Sequence, residues 1–171
     1  MRIGIFSVAH HHVDAYVGNL RAIPGVEMVG IADDDQERGK PYAEQFRARF
    51  YPSYEALLAE GLDGVLVCSE NANHRPLVEM AAGAGVHVMS EKPLATSLAD
   101  ARAMVDACEG AGVILMTAFP MRFSAPMIEI RPCSKGVHWA RSIPATRPTR
   151  ARCRAITASG SWTNAWPAVG R

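Results

Sequence analysis

At 171 residues and 49% hydrophobic content, the chain has material for one folded domain with a core, or for one domain plus part of a second. The formal charge of +1 conceals a division: residues 1–129 carry all 17 acids and ten Lys and Arg, whereas residues 130–171 carry eight Lys and Arg and no acid. No run of about 18 apolar residues exists for a membrane span, the start lacks a signal peptide's apolar stretch, and Cys68, Cys108, Cys133 and Cys153 lack the close pairing of a zinc site. A soluble, cytoplasmic protein with free thiols and no membrane partner is expected.

Ile3 to Val8 reads as a buried first strand, and Val13 to Ala22 as a helix with Tyr16, Leu20 and Ile23 on one side. Pro24-Gly25 closes that helix, and Val26 to Ala32 forms a second strand ending at Asp33-Asp34-Asp35. A strand-helix-strand unit of about 30 residues is the size of a nucleotide-binding half-motif. Asp33, at the strand tip, is placed to accept hydrogen bonds from an adenosine ribose diol. Its charge disfavours a 2′-phosphate, so NAD is expected over NADP. Asp34 and Asp35 suit the cap of the next helix better.

The Gly-x-Gly-x-x-Gly turn usual in such a unit is absent. Only Gly4 is present, inside the strand, and Ala9 with His10-His11-His12 occupies the turn. Ser7, Ala9 and His10 are the candidate cofactor contacts here, through backbone N–H groups and the positive end of the following helix. Three adjacent histidines with Asp14 nearby invite a metal reading. No Cys lies close and no helical His-x-x-x-His spacing exists, so a loop or substrate-contact role is preferred and no metal is expected.

Asp35 to Arg47 reads as an amphipathic helix, Phe50-Tyr51 as a short edge strand, and Ser53 to Glu60 as a helix capped by Ser53. Gly64 to Cys68 is a continuous apolar run suited to the middle of a parallel sheet. It stops at Ser69-Glu70-Asn71-Ala72-Asn73-His74, before a helix from His74 to Ala84, which sets Ser69, Asn71 and His74 at the carboxyl edge of the sheet. Capping accounts for Asn71 or Asn73, whereas His74 has no evident structural task. Val86 to Met89 then forms a strand that ends at Ser90 and runs into Glu91-Lys92-Pro93. Lysine at such an edge can give a proton or hydrogen bond to a substrate oxygen, with Pro93 fixing the chain after it. A helix from Ser97 to Ala111, with Ala101, Met104, Val105 and Cys108 on one face, and a strand from Val113 to Ala118 follow. Strand and helix alternate throughout, the pattern of a doubly wound, Rossmann-like parallel α/β sheet.

With these edges in place, residues 1–129 resemble the nucleotide-binding half of the glucose-fructose oxidoreductase and inositol dehydrogenase family, Gfo/Idh/MocA. Ser69-Glu70-Asn71-Ala72-Asn73-His74 looks like the family's Thr-Pro-Asn-x-x-His turn, with Glu70 in place of proline. Glu91-Lys92-Pro93 matches its Glu-Lys-Pro strand end, and Arg122-Phe123 its Arg-Phe after the sixth strand. The resemblance implies hydride transfer between a nicotinamide and a sugar or cyclitol hydroxyl. It implies Lys92 as the catalytic residue beside the nicotinamide and the reacting carbon. It also implies cofactor contacts from Asn71, His74, Ser69, Glu91, Pro93 and Arg122, and Asp33 at the ribose. Family members continue with a second α/β domain that supplies most substrate contacts, and that domain is expected to be missing or truncated here.

Residues 130–171 hold all three tryptophans, scattered prolines and no sustained period, and are read as irregular or as a frameshifted end. A basic arm for nucleic acid would need a surrounding module, which is not recognisable, so no nucleic-acid partner is expected. The alternative to an oxidoreductase is a non-catalytic nucleotide-binding or partner-binding domain. A homo-oligomer would hide apolar surface that a missing domain leaves open.

Overall fold

The computed structural model describes residues 1–128 and two short strands further on. These fall in two compact units, Met1–Arg122 and Phe123–Arg171. In the first unit β1 (Arg2–Phe6), α1 (Val13–Ala22), β2 (Glu27–Ala32), α2 (Gln36–Gln45), β3 (Phe50–Tyr51) and α3 (Tyr54–Leu58) are followed by β4 (Gly64–Val67) and α4 (His74–Gly83). The unit closes with β5 (His87–Ser90), α5 (Leu98–Ala111) and β6 (Leu115–Thr117), and 3-10 turns cover Asn71–Asn73 and Pro120–Phe123. In the second unit β7 (Arg154–Ile156) and β8 (Trp162–Asn164) pair antiparallel. Apart from those strands, the expectation for residues 130–171 and the thiols of Cys133 and Cys153 lie outside the described residues.

The six strands of the first unit form one parallel sheet in the order β3-β2-β1-β4-β5-β6. Alternation along the strands divides the core between its faces. Ile3, Ile5, Ile31, Leu66 and Cys68 pack with Val13 and Val17 of α1 and Ala43 of α2. Phe6, Val65, Val67 and Val88 pack on the other face with Leu57 of α3, Leu77, Val78, Ala81 and Ala82 of α4, and Met104 and Cys108 of α5. Helices on both faces make the fold doubly wound, as the alternating pattern predicts.

Local chemistry sets most boundaries. Asp35 caps α2 through the N–H groups of Glu37 and Arg38, Ser53 caps α3 at Ala56, and Ser97 caps α5 at Asp100. The Ser97 hydroxyl in turn donates to the Asp100 carboxylate at 2.7 Å, making the contact reciprocal. The capping expected of Asn71 or Asn73 is absent: Asn73 precedes α4 but its amide donates to Glu70 instead, at 3.3 Å.

Three details depart from expectation. The first strand stops at Phe6 rather than Val8 because Ser7 turns into the left-handed region, φ 64°. Ile23 is 51% exposed because α1 ends at Ala22 and Ile23 takes an extended conformation that leaves the helical face. Val105 is 37% exposed because the buried line of α5 runs through Met104 and Cys108, four residues apart, and Val105 falls beside it. Among the described residues, no helix is long and apolar enough to cross a membrane.

Candidate active site

The strand order reverses between β1 and β4, and in a sheet of this kind ligands lie in the crevice beyond the carboxyl ends at that reversal. Three loops meet there: Ser7 to His12 after β1, Ser69 to His74 after β4, and Glu91 to Pro93 after β5. The first two are joined by the His10 N–H donating to the Cys68 carbonyl at 2.9 Å.

A left-handed residue other than glycine costs on the order of 1 kcal/mol, and Ser7 is held in that state by several bonds. Its N–H donates to Ala32 O at 2.7 Å, and its hydroxyl, fully buried, donates to Asp33 Oδ2 at 3.2 Å. Serine thus makes the sharp turn that glycine makes in the usual fingerprint. Five N–H groups of the turn, the candidate cofactor donors of the sequence, bond within the protein. Val8 donates to Asp33, Ala9 to Ser7 Oγ, His10 to Cys68 O, His12 to His10 Nδ1 and Val13 to His10 O.

Asp33 ends β2 as predicted, but its carboxylate points inward and has no solvent exposure. Arg38, from the first turn of α2, binds it with Nη2 at 2.8 Å from Oδ1 and Nε at 3.1 Å from Oδ2. The N–H groups of Val8 and Asp35 add bonds of 2.8 and 2.9 Å. Burial pushes the Asp33 pKa up, and the bonds from Arg38, Val8 and Asp35 more than reverse this, so the net shift is downward. Both oxygens of Asp33 thus have donors inside the protein, where the sequence placed the acid against a ribose. Arg38 also reaches Glu70 Oε1 at 2.7 Å, so the glutamate standing where the family turn has proline ties the β4 loop to α2.

The loop after β5 forms a second cluster around a buried acid. Glu91 is 1% exposed, and its Oε1 accepts from the Tyr16 hydroxyl of α1 and from His12 Nδ1 at 2.9 Å. Its Oε2 accepts from the Lys92 N–H at 3.0 Å. Burial raises the Glu91 pKa, but the bonds from Tyr16, His12 and the Lys92 N–H carry it below its ordinary value. Burial, and then the Glu91 charge at its hydroxyl, raise that of Tyr16. Lys92 Nζ lies 3.3 Å from His10 Nε2, while His10 Nδ1 lies 3.2 Å from the His12 amide nitrogen. A neutral imidazole accepts at one nitrogen only, so one of these two contacts forms at a time. Burial lowers the His10 pKa; the Glu91 charge opposes this, and Lys92 with the other two histidines reinforces it.

His74 is fully buried, and each ring nitrogen faces a backbone carbonyl: Nδ1 lies 3.0 Å from Pro93 O and Nε2 3.2 Å from Ser69 O. It therefore has the structural task that the sequence did not reveal, pinning the β4 loop to the Lys92-Pro93 turn, whose peptide bond is cis. Ser69 is buried, its hydroxyl donating to Glu70 O at 3.3 Å. Asn71 is exposed in its 3-10 turn, Pro93 is exposed, and the Arg122 guanidinium stacks 4.7 Å from the Phe119 ring centre. Sequence reading missed Tyr16, Arg38 and the site role of His12. Tyr16 had a signal, a phenol on the α1 face turned to the sheet, but its partner Glu91 stands 75 residues away.

The family described as "Oxidoreductase family, NAD-binding Rossmann fold" (GFO_IDH_MocA) matches residues 3–119. D-apiose dehydrogenase of Paraburkholderia graminis is 46% identical over 102 residues, 58% of this chain and 26% of that protein. UDP-N-acetylglucosamine 3-dehydrogenase of Acidithiobacillus ferrooxidans is 35% identical over 106 residues, 60% of this chain and 32% of that protein. Among solved structures, the WlbA dehydrogenase from Bordetella pertussis in complex with NADH and UDP-GlcNAcA superposes with a TM-score of 0.72 at 28% identity, covering 79% of this chain and 39% of that one. The chain thus spans about a quarter to a third of these curated relatives.

Proposed function

The chain belongs to the Gfo/Idh/MocA oxidoreductase family, an NAD-binding Rossmann-fold family, and from that premise we propose that it is the nucleotide-binding half of a sugar or polyol dehydrogenase with Lys92 as its catalytic residue. The single observation that carries the assignment is the placement of Lys92. It follows β5 at the crevice beside the strand reversal, its backbone held by Glu91 and its ammonium beside His10.

The residues present fit a dinucleotide. The chain turns sharply at Ser7, α1 begins a few residues later, and three loops converge where the sheet order reverses. When bound, NAD supplies the two-electron acceptor. The chain's own residues position the substrate oxygen and exchange its proton: Lys92 as the free amine accepts the hydroxyl proton, or as the ammonium returns it in the reverse direction, and Glu91 with His12 and Tyr16 fixes the strand end from which Lys92 projects. Preference for NAD over NADP follows from the acids gathered at the end of β2. Asp33, Asp34 and Glu70 share the single guanidinium of Arg38, so the local charge is negative and repels a 2′-phosphate.

Substrate contacts and full turnover call for a second wall of the cleft, because one wall does not hold both reactants in line. Ile114, Met116 and Phe119 near β6 are 65%, 38% and 39% exposed, apolar surface that supports docking of a further domain or a second copy. Calorimetric titration of the chain with NAD and with NADP tests the reading. Saturable binding with NAD preferred is expected, and absence of binding to either overturns it.

A further inference from the structure

The three histidines of the first turn are more than a replacement for glycine. One ligand atom from each of His10, His12 and Glu91 lies within 4.8 Å of the others. Glu91 Oε1 faces His12 Nδ1 at 2.9 Å and His10 Nδ1 at 3.8 Å. Two imidazole nitrogens and a carboxylate oxygen are a donor set suited to zinc and its first-row neighbours; magnesium and calcium call for more oxygens. Bonds of about 2.1 Å in a tetrahedral site set ligand atoms about 3.4 Å apart, between the two separations found here.

The carboxylate is already oriented as a ligand's outer partners would orient it, with the Tyr16 hydroxyl on Oε1 and the Lys92 N–H on Oε2. The opposite side is open: the His10 and His12 side chains are 16% and 34% exposed. Three protein ligands with an open side are the arrangement of a metal site that takes an exchangeable oxygen ligand, as opposed to a closed structural site.

We propose that His10, His12 and Glu91 form a site for one divalent transition-metal ion of the zinc class, its remaining position open to an oxygen donor at the mouth of the crevice. The ion takes the place of the proton that His12 shares with Glu91, which passes to solvent, and displaces the His12 N–H from His10 Nδ1, whose lone pair then binds the metal. Lys92, 3.3 Å from His10 Nε2, is a cation facing the cluster and weakens the site by repulsion. The site does not depend on the cofactor reading, since the ion can be titrated without any nucleotide.

The test is calorimetric titration of zinc(II) into the full chain after chelator treatment, with cobalt(II) absorption as a second readout and circular dichroism to check folding. One ion per chain is expected, with affinity falling at least about tenfold in His10→Ala and in His12→Ala and unchanged in His11→Ala. Lys92→Ala is expected to tighten zinc binding, an effect that adventitious surface histidines would not show. Binding that is not saturable, that survives the His10→Ala/His12→Ala double variant, or that His11→Ala weakens equally overturns the site. NAD titration of the same chain reads out separately, so failure of either proposal leaves the other standing.

Discussion

Arg38 closes over Asp33: the guanidinium meets both carboxylate oxygens, at 2.8 and 3.1 Å, and the acid beneath has no solvent exposure. The acid that a dinucleotide-binding sequence sets at the tip of its second strand is here a structural anchor of the crevice. It joins the β1 turn, the end of β2 and the start of α2, and through Arg38, which also binds Glu70, the β4 loop as well.

Asp33→Ala is therefore expected to do more than weaken NAD binding and relax discrimination against NADP. It strands the Val8 N–H and takes from the partly buried Arg38 guanidinium its main partner, leaving Glu70, at a cost of about 2 kcal/mol. Urea unfolding gives the check, and an unchanged midpoint would return Asp33 to a purely ligand-facing role.

Acid sensitivity follows from the same pair. The folded-state pKa of Asp33 lies below its unfolded value of about 3.9, so its contribution to stability is complete above that value and is lost as pH falls through the folded pKa. The chain should lose stability more steeply below about pH 4 than an Arg38→Ala variant, whose Asp33 has lost its main partner. Parallel pH-stability curves for the two would contradict this.

His74→Leu is expected to destabilise by about 2 kcal/mol, because the buried hydrogen bond that the ring N–H gives to the Pro93 or the Ser69 carbonyl is lost. NAD affinity should fall only through the displaced Lys92-Pro93 turn. Thermal denaturation separates the cases: a large affinity loss at unchanged melting temperature would make His74 a direct cofactor contact.

Lys92→Ala is expected to leave NAD affinity within about threefold while reducing dehydrogenase turnover, in an assembly that supplies the substrate wall, by about a hundredfold or more. Titration calorimetry and a polyol assay read the two quantities. Equal losses in both would reduce Lys92 to a binding residue.

Buried apolar runs such as Gly64 to Val67, the caps at Asp35, Ser53 and Ser97, and the regular alternation of strand and helix were legible along the chain. So were the carboxyl-edge positions of Ser69, Glu91 and Lys92, because period, caps and breakers act over a few residues and leave a local record. The direction of each side chain at those edges was not. Glu91 finds His12 and Tyr16, 79 and 75 residues away, and Arg38 finds Glu70, 32 residues away, only because the sheet order sets the ends of β1, β4 and β5 side by side. The sequence by itself determined a doubly wound sheet and which residues line its edge. The tertiary structure decided which of them face one another, since a buried carboxylate must take its hydrogen bonds from whatever donors the strand order brings within about 3 Å.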